Sequence, residues 1–286
     1  MYHLIADSGS TKTDWTLIDI EAKEIIYTFT SKGYNPFFWN QTELIEAFHK
    51  DKKQISTIYP SSSINNLYFY GAGCGTKEQQ SYLKSLLKKV FSTVKISVKG
   101  DLLGAARSLL GKENGIAGIL GTGANSCLYR NGKIIDQPVS LGYLLSDFGS
   151  GATIGLEFLK LLLTNQLSII TTNNFIDQFN LSTEDILQKL YKEEAPNKFC
   201  ASFAPFIKQY VEIDKVIFEM VTLQFQKYIE YYILPLKHNK HTNIELTGSI
   251  AYHFSPIIKD VFSMNNLSIN KIVSAPSAGL IDFHLK

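Results

Sequence analysis

The sequence predicts an α/β protein built of two similar halves, and three observations carry that expectation. A strand, a polar turn and a second strand follow one another at residues 1–20 and again at 116–130. Short apolar runs at 66–70, 95–98 and 244–246 each give way within two residues to a glycine. Between these runs lie segments whose apolar residues recur at helical spacing.

In chain order, residues 1–6 are apolar, Asp7-Ser8-Gly9-Ser10-Thr11-Lys12-Thr13 is polar, and 14–20 is apolar again, which reads as a hairpin with a polar tip. Residues 24–31 add a third strand. Leu44, Ile45 and Phe48 mark a helix over 42–49. A strand at 66–70 runs into Gly71-Ala72-Gly73-Cys74-Gly75. Residues 77–91 follow as an amphipathic helix with Tyr82, Leu83, Leu86, Leu87 and Val90 on one side. A strand at 95–98 precedes Gly100-Asp101, and a helix at 102–110 begins directly after the aspartate. The pattern then restarts. Residues 116–120 are apolar, Gly121-Thr122-Gly123-Ala124-Asn125-Ser126 is the second polar turn, and strands at 127–130 and 133–136 flank Asn131-Gly132, a hairpin signal. The second half is helical in its middle, at 149–163, 182–191 and 211–234, the last stopped by Pro235. Strands at 244–246 and 271–274 and a closing helix at 277–284 complete it. The domain expectation is residues 1–112, completed by the C-terminal helix 277–286, and 113–276 with a helical insertion, around a cleft.

Composition narrows the function classes. The 286 residues suffice for two domains with a core each. A net charge of +2 excludes a strong field for nucleic acid or anionic membrane. The basic runs Lys50-Asp51-Lys52-Lys53 and Lys88-Lys89 read as solvated faces. No segment approaches the roughly 20 apolar residues of a membrane span, and the N-terminus has no signal-peptide pattern, so a cytoplasmic protein is expected. Cys74, Cys127 and Cys200 are far apart and form no CxxC pair; they read as small buried hydrophobes rather than disulfide or zinc ligands. The histidines, His3, His49, His238, His241, His253 and His284, lack metal-ligand spacing and read as structural or exposed. Trp15 and Trp39 read as core.

The polar turns carry the chemistry. Ser8, Gly9, Ser10, Thr11, Lys12 and Thr13 concentrate N–H donors, hydroxyls and one cation, a set suited to phosphate oxygens. Asp7 beside them would hold Mg²⁺ directly or through water; alone, the segment also reads as a hairpin tip with a capping aspartate. Gly121, Thr122 and Gly123 repeat the feature in the second half, and two such turns would clamp one polyphosphate. Leu246-Thr247-Gly248-Ser249-Ile250-Ala251 runs from strand through glycine into helix. That lets a planar base approach the backbone at Gly248 and Ser249; the plainer reading is an N-cap by Thr247 or Ser249.

These three segments, in this order and spacing along nearly the whole chain, resemble the two phosphate motifs and the adenosine motif of the actin/hexokinase/Hsp70 superfamily. Within it the chain resembles the N-acetylglucosamine kinases grouped with the BadF/BadG ATPases. Tyr34-Asn35, Gly100-Asp101-Leu102-Leu103-Gly104-Ala105, Gly142-Tyr143-Leu144-Leu145-Ser146-Asp147-Phe148-Gly149-Ser150-Gly151 and Ala278-Gly279-Leu280 support that branch. The resemblance implies two ribonuclease H-like domains with mixed sheets flanking a nucleotide-binding cleft. It implies ATP and Mg²⁺ as cofactors and a small sugar as substrate, phosphorylated at the 6-position, with a second copy of the chain as a candidate partner.

Asp101 is the candidate general base. It follows a strand and precedes a helix, where the resemblance places the acceptor hydroxyl, and phosphoryl transfer needs a carboxylate there. The alternative is an N-cap of the helix at 102–110. Asn35, Thr122, Asn125, Gly142, Tyr143 and Asp147 are the candidate sugar contacts, because short amides and carboxylates bond in fixed directions. Asp147 and Asn35 also read as turn residues. The chain departs from N-acetylglucosamine kinases at Leu141 and Tyr143, where those carry tryptophan and histidine around Gly142, and at Phe148, where they carry an acidic residue.

Two other classes remain. One is an ATP-hydrolysing activator of a dehydratase or reductase, which would need cysteines bridging an iron–sulfur cluster at a dimer interface. The other is a non-catalytic nucleotide-binding module. The sequence contains no GxxxxGK[ST] loop, GxSxG elbow or HExxH motif.

Overall fold

The structure is a computed structural model that describes residues 1–36, 39–60, 63–237 and 242–286. Phe37, His238 and His241 lie outside the described residues. The chain divides into two units, Met1–Glu113 with Pro276–Lys286, and Asn114–Ala275.

In the first unit, strands β1 (Tyr2–Ser8), β2 (Lys12–Asp19) and β3 (Glu24–Lys32) form an antiparallel meander. After helix α1 (Gln41–Ser56), strand β4 (Ile64–Gly71) pairs parallel to β1. After helix α2 (Lys77–Val90), strand β5 (Lys95–Gly100) pairs parallel to β4. The sheet order is β3-β2-β1-β4-β5. Helix α3 (Asp101–Leu110) follows β5. Capping boxes at Asn40–Glu43 and Thr76–Gln79 start α1 and α2. β1 is buried on both faces, as a central strand between helical layers must be. Leu4 and Ala6 pack with Phe48, Leu83 and Leu87 of α1 and α2, while Ile5 packs with Leu280 of the C-terminal helix.

The second unit repeats the plan. β6 (Gly115–Leu120), β7 (Ala124–Arg130) and β8 (Lys133–Asp136) form the meander, and β9 (Ile244–Thr247) and β10 (Lys271–Val273) add parallel strands, giving the order β10-β9-β6-β7-β8. Helices α4 (Gly151–Leu163), α5 (Ile169–Phe179), α6 (Thr183–Tyr191), α7 (Pro196–Ala201), α8 (Ala204–Tyr210) and α9 (Lys215–Tyr228) lie between β8 and β9, and α10 (Ser249–His253) and α11 (Ser255–Met264) between β9 and β10. Phe158, Phe175, Phe179, Phe203 and Phe206 fill the helical part in edge and tilted contacts. Helix α12 (Ser277–Leu285) packs on α3 of the first unit. Among the described residues no helix is long and apolar enough to cross a membrane.

Several expectations are corrected. The helix expected over 211–234 begins after the Asp214 cap at Lys215, widens to a π-helical turn at Ile229–Ile233 and ends in a 3₁₀ turn, Leu234–Leu236, that holds Pro235. An α-helical Pro235 would leave a carbonyl one turn back without its donor. Helices α5, α7 and α8 were not expected. Thr171, Thr172, Asn173 and Asn174 weaken the helical signal of α5, and Pro196 and Pro205 act as first-turn residues rather than breakers. Tyr82 is exposed, off the buried stripe of Leu83, Leu86, Leu87 and Val90. Asp51 is not part of a solvated face: it is buried on the stripe of Leu44, Phe48 and Ile55. The three cysteines are free and buried.

Gly155 fixes the approach of α4 to α7, since a β-carbon there would collide with the Cys200 carbonyl. Gly155→Ala is helix-favouring by propensity, yet here it should destabilise the chain by about 1–3 kcal/mol. Urea unfolding measures this; an unchanged or raised midpoint would show that the two helices part without cost.

Candidate active site

The parallel strands of the first unit end in one row, with Ser8 opposite Gly71 and Gly71 opposite Gly100. Ligands of open α/β sheets sit beyond such carboxyl ends. Asp7 stands one residue before the row and Asp101 one residue after it. Both carboxylates are partly buried, and desolvation raises both. Asp7 is pushed up to about 7 by burial and by the charges of Asp14 and Asp101. Ser277 Oγ, on α12, donates to Asp7 at 3.4 Å. A carboxylate held in this way fits a divalent cation, which would relieve the crowding of negative charge. Among the described residues there is no ready cluster of three or more His, Cys, Asp or Glu ligands. A metal at Asp7 would therefore complete its shell with water and phosphate oxygens.

Asp101 is the first residue of α3, and Gly100 is the cap, so the N-cap alternative is corrected. Its carboxylate accepts from the Leu102 N–H at 2.9 Å, which orients it while burial raises its affinity for a proton. Burial, with a smaller part from the Asp101 charge, pushes the Cys74 thiol up to about 12.

Between β1 and β2 only Gly9, Ser10 and Thr11 remain as turn; Asp7, Ser8, Lys12 and Thr13 are on the strands. Ser8 and Thr13 are buried. The Thr13 hydroxyl is hydrogen-bonded to Ser8 Oγ at 2.8 Å and to the Lys32 carbonyl at 2.9 Å, so these hydroxyls hold the turn in place. Lys12 pairs with Asp14 at 2.7 Å and its side chain is exposed. Asn35 is buried and lies against Gly73 (φ +76°), where a β-carbon would collide with the Asn35 Oδ1.

In the second unit the Gly121–Gly123 turn is tied to the start of α4. Gly151 N–H donates to the Gly121 carbonyl at 2.8 Å and Ala152 N–H to the Thr122 carbonyl at 3.1 Å. Gly248 (φ +114°) packs on the Leu120 carbonyl, which only glycine permits. Gly248 is also the helix cap, so neither Thr247 nor Ser249 fills that role through its side chain. A cavity of about 400 Å³ opens beside these turns, floored by Gly121, Thr122 and Ser249 and walled by Ala204, Pro205 and Phe254. Lys208, which the sequence did not mark, and His253, read there as structural or exposed, supply polar groups to its lining.

Asp147 adopts a left-handed backbone (φ +54°), and its carboxylate lies 3.1 Å from where a β-carbon on Gly123 would be. Its N–H donates to Tyr232 Oη at 2.7 Å, and its carbonyl accepts from Thr153 Oγ1 at 3.0 Å. Tyr228 Oη donates to the Asn125 carbonyl at 3.2 Å. The turn reading of Asp147 thus holds, and its carboxylate lies beside the Gly121–Gly123 turn. Gly142 is exposed with φ +74°. Tyr143 is half-buried, and burial raises its hydroxyl above the usual range.

These two sheets and their glycine exits define the two-domain fold of the actin/hexokinase superfamily. The chain is 35% identical to a candidate N-acetylglucosamine kinase of Porphyromonas gingivalis, with a TM-score of 0.92 over 99% of this chain and 98% of that one. It belongs to the same family, the N-acetylglucosamine kinase-like proteins. A candidate N-acetylglucosamine kinase of Chromobacterium violaceum (14% identity, TM-score 0.73, covering 100% and 99%) shares the fold. So does a ROK family glucokinase of Streptomyces griseus solved with glucose and AMPPNP (12%, 0.59, covering 99% and 98%). No protein-family model matches the chain. No curated protein matches it.

Burial pushes the Asp147 carboxyl up to about 6. A folded pKa above the unfolded value of about 3.9 gives stability that is complete below pH 4 and lost as the pH rises through 6. Asp147→Asn removes the buried charge. It should raise stability at pH 8 by about 1 kcal/mol, since partial exposure screens the effect, and the advantage should vanish by pH 4. Urea unfolding at both pH values tests this; a pH-independent difference would contradict it.

Proposed function

We propose that the chain is an ATP-dependent sugar kinase that transfers the γ-phosphoryl group to a hydroxyl of an amino sugar, with N-acetylglucosamine giving its 6-phosphate as the assignment. The observation that carries this reading is the pair Asp7 and Asp101, flanking the row where three parallel strands end. The named kinase candidates among the similar structures support the acceptor class, and the glucokinase with bound AMPPNP supports the donor.

In this reading Asp101 accepts the proton of the acceptor hydroxyl. The hydroxyl oxygen bonds to the γ-phosphorus as the bond to the β–γ bridging oxygen breaks, and that electron pair leaves on ADP. The Leu102 N–H orients the carboxylate, and burial raises its basicity toward what a general base needs. Asp7 would hold Mg²⁺, which when bound neutralises charge on the phosphates. Backbone N–H groups of Ser10 and Thr11, the Lys12 cation once drawn from Asp14, and Gly121, Thr122 and Gly123 are the phosphate contacts, with Gly9 keeping the turn free of a side chain while its N–H bonds the Lys12 carbonyl. The cavity beside Gly248 and Ser249 is the base site. Asn35, Thr122, Asn125 and Asp147 bind sugar hydroxyls and the amide, with Gly142 and Tyr143 at the edge. The activator reading lacks support, because the Cys74, Cys127 and Cys200 thiols are buried and pushed up to about 12, 12 and 11.

Coupled ADP release from Mg-ATP across N-acetylglucosamine, glucosamine, N-acetylmannosamine, N-acetylmuramic acid and glucose tests the proposal. N-acetylglucosamine should stimulate release most; sugar-independent release would contradict a kinase. Asp101→Asn should lower kcat by about 10²–10⁴-fold with little change in ATP affinity. Near-normal turnover would show that another group is the base.

A further inference from the structure

Asp51 is 3% exposed, yet it sits in α1 between lysines. Its Oδ2 accepts from Tyr34 Oη at 2.6 Å and from Ser31 Oγ at 3.1 Å. Ser31 Oγ in turn accepts from Trp15 Nε1 at 2.9 Å. Burying a carboxylate is costly unless it is hydrogen-bonded, and here the Tyr34 and Ser31 hydroxyls offset that cost.

That geometry bears on one residue. The Tyr34 ring oxygen is held by Asp51, and the Tyr34 N–H donates to Ser8 Oγ at 3.0 Å. Trp39 packs on the ring with centroids 5.6 Å apart and donates from Nε1 to the Gly33 carbonyl at 3.0 Å. Tyr34 is therefore fixed at both ends, and the next residue is Asn35, pressed against Gly73. The Gly9–Thr11 turn is closed by Gly9 N–H to the Lys12 carbonyl at 2.9 Å, Gly33 N–H to the Thr11 carbonyl at 3.0 Å and the Thr13–Ser8 bond, none of which uses the Tyr34 side chain, so it depends on the Tyr34–Asp51 bond less than Asn35 does.

We propose that Asp51 and Tyr34 are positioning residues for sugar binding: their hydrogen bond sets the place of Asn35 at the strand-end row. The identity of the ligand rests on the kinase reading; the positioning does not. Charge-assisted bonds of this length are the strong ones.

The test uses the full chain with Tyr34→Phe, Asp51→Asn and Asp51→Ala. In Tyr34→Phe and Asp51→Ala the KM for N-acetylglucosamine should rise about tenfold while the KM for ATP moves less than about twofold. Asp51→Asn, which keeps an acceptor for Tyr34, should recover most of the loss. The double variant Tyr34→Phe/Asp51→Ala should be no worse than the poorer single one, since both remove the same bond. Amide hydrogen exchange without ligand should quicken at Tyr34 and Asn35 and stay unchanged over 9–13. A folded Tyr34→Phe with unchanged sugar KM, or with equal rises in both KM values, overturns the proposal. If the wild-type chain phosphorylates none of the sugars, the kinase reading fails, and exchange alone then decides: unchanged rates at Tyr34 and Asn35 overturn the positioning role.

Discussion

The hydroxyl of Ser8 is the tie on which the first unit's site depends. It is hydrogen-bonded to Thr13 Oγ1, which closes the hairpin, and accepts from the Tyr34 N–H, which brings in the segment after β3. The Ser8 carbonyl accepts from the Ala72 N–H at 2.8 Å, which fixes the exit of β4. Three segments distant in sequence thus meet at one small buried residue. Gly33 allows the meeting, since a β-carbon there would strike the Gly9 carbonyl. Asp7, next to Ser8 on β1, and Asn35, next to Tyr34, stand directly beside this knot.

The second unit reaches a similar end by other means. Its turn is tied to the first N–H groups of α4, while Tyr228 Oη donates to the Asn125 carbonyl on β7 and Tyr232 Oη accepts from the Asp147 N–H. The π-helical turn begins directly after Tyr228, and the Tyr232 carbonyl accepts from Ser126 Oγ on β7. Wider helical turns of this kind recur at functional sites. Here the helix end around the π-turn offers two hydroxyls and a carbonyl, to Asn125 and Ser126 of β7 and to the Asp147 N–H.

The glycine turns were legible in the sequence because glycine and short polar residues at strand ends leave a plain local signal. Asp101 was legible for the same reason. Asp51 was not, because the lysines on either side drew attention from its place seven residues after Leu44 on the buried stripe. Ser277 was invisible as a partner of Asp7, since 270 residues separate them. The ion pair of Lys12 with Asp14 follows from the period-two alternation that puts both on one face of β2, and so from where the strand begins. Lys208 and His253 reach the cavity from helices whose packing is settled only by the tertiary structure.

The claim that joins these observations is that Asp101 meets the hydroxyl that is phosphorylated. A crystal structure of the full chain with N-acetylglucosamine and AMPPNP addresses it directly. One sugar hydroxyl within about 2.6–3.2 Å of an Asp101 carboxylate oxygen is the expected result. A bound sugar with every hydroxyl beyond the reach of Asp101, even through one water, would contradict it.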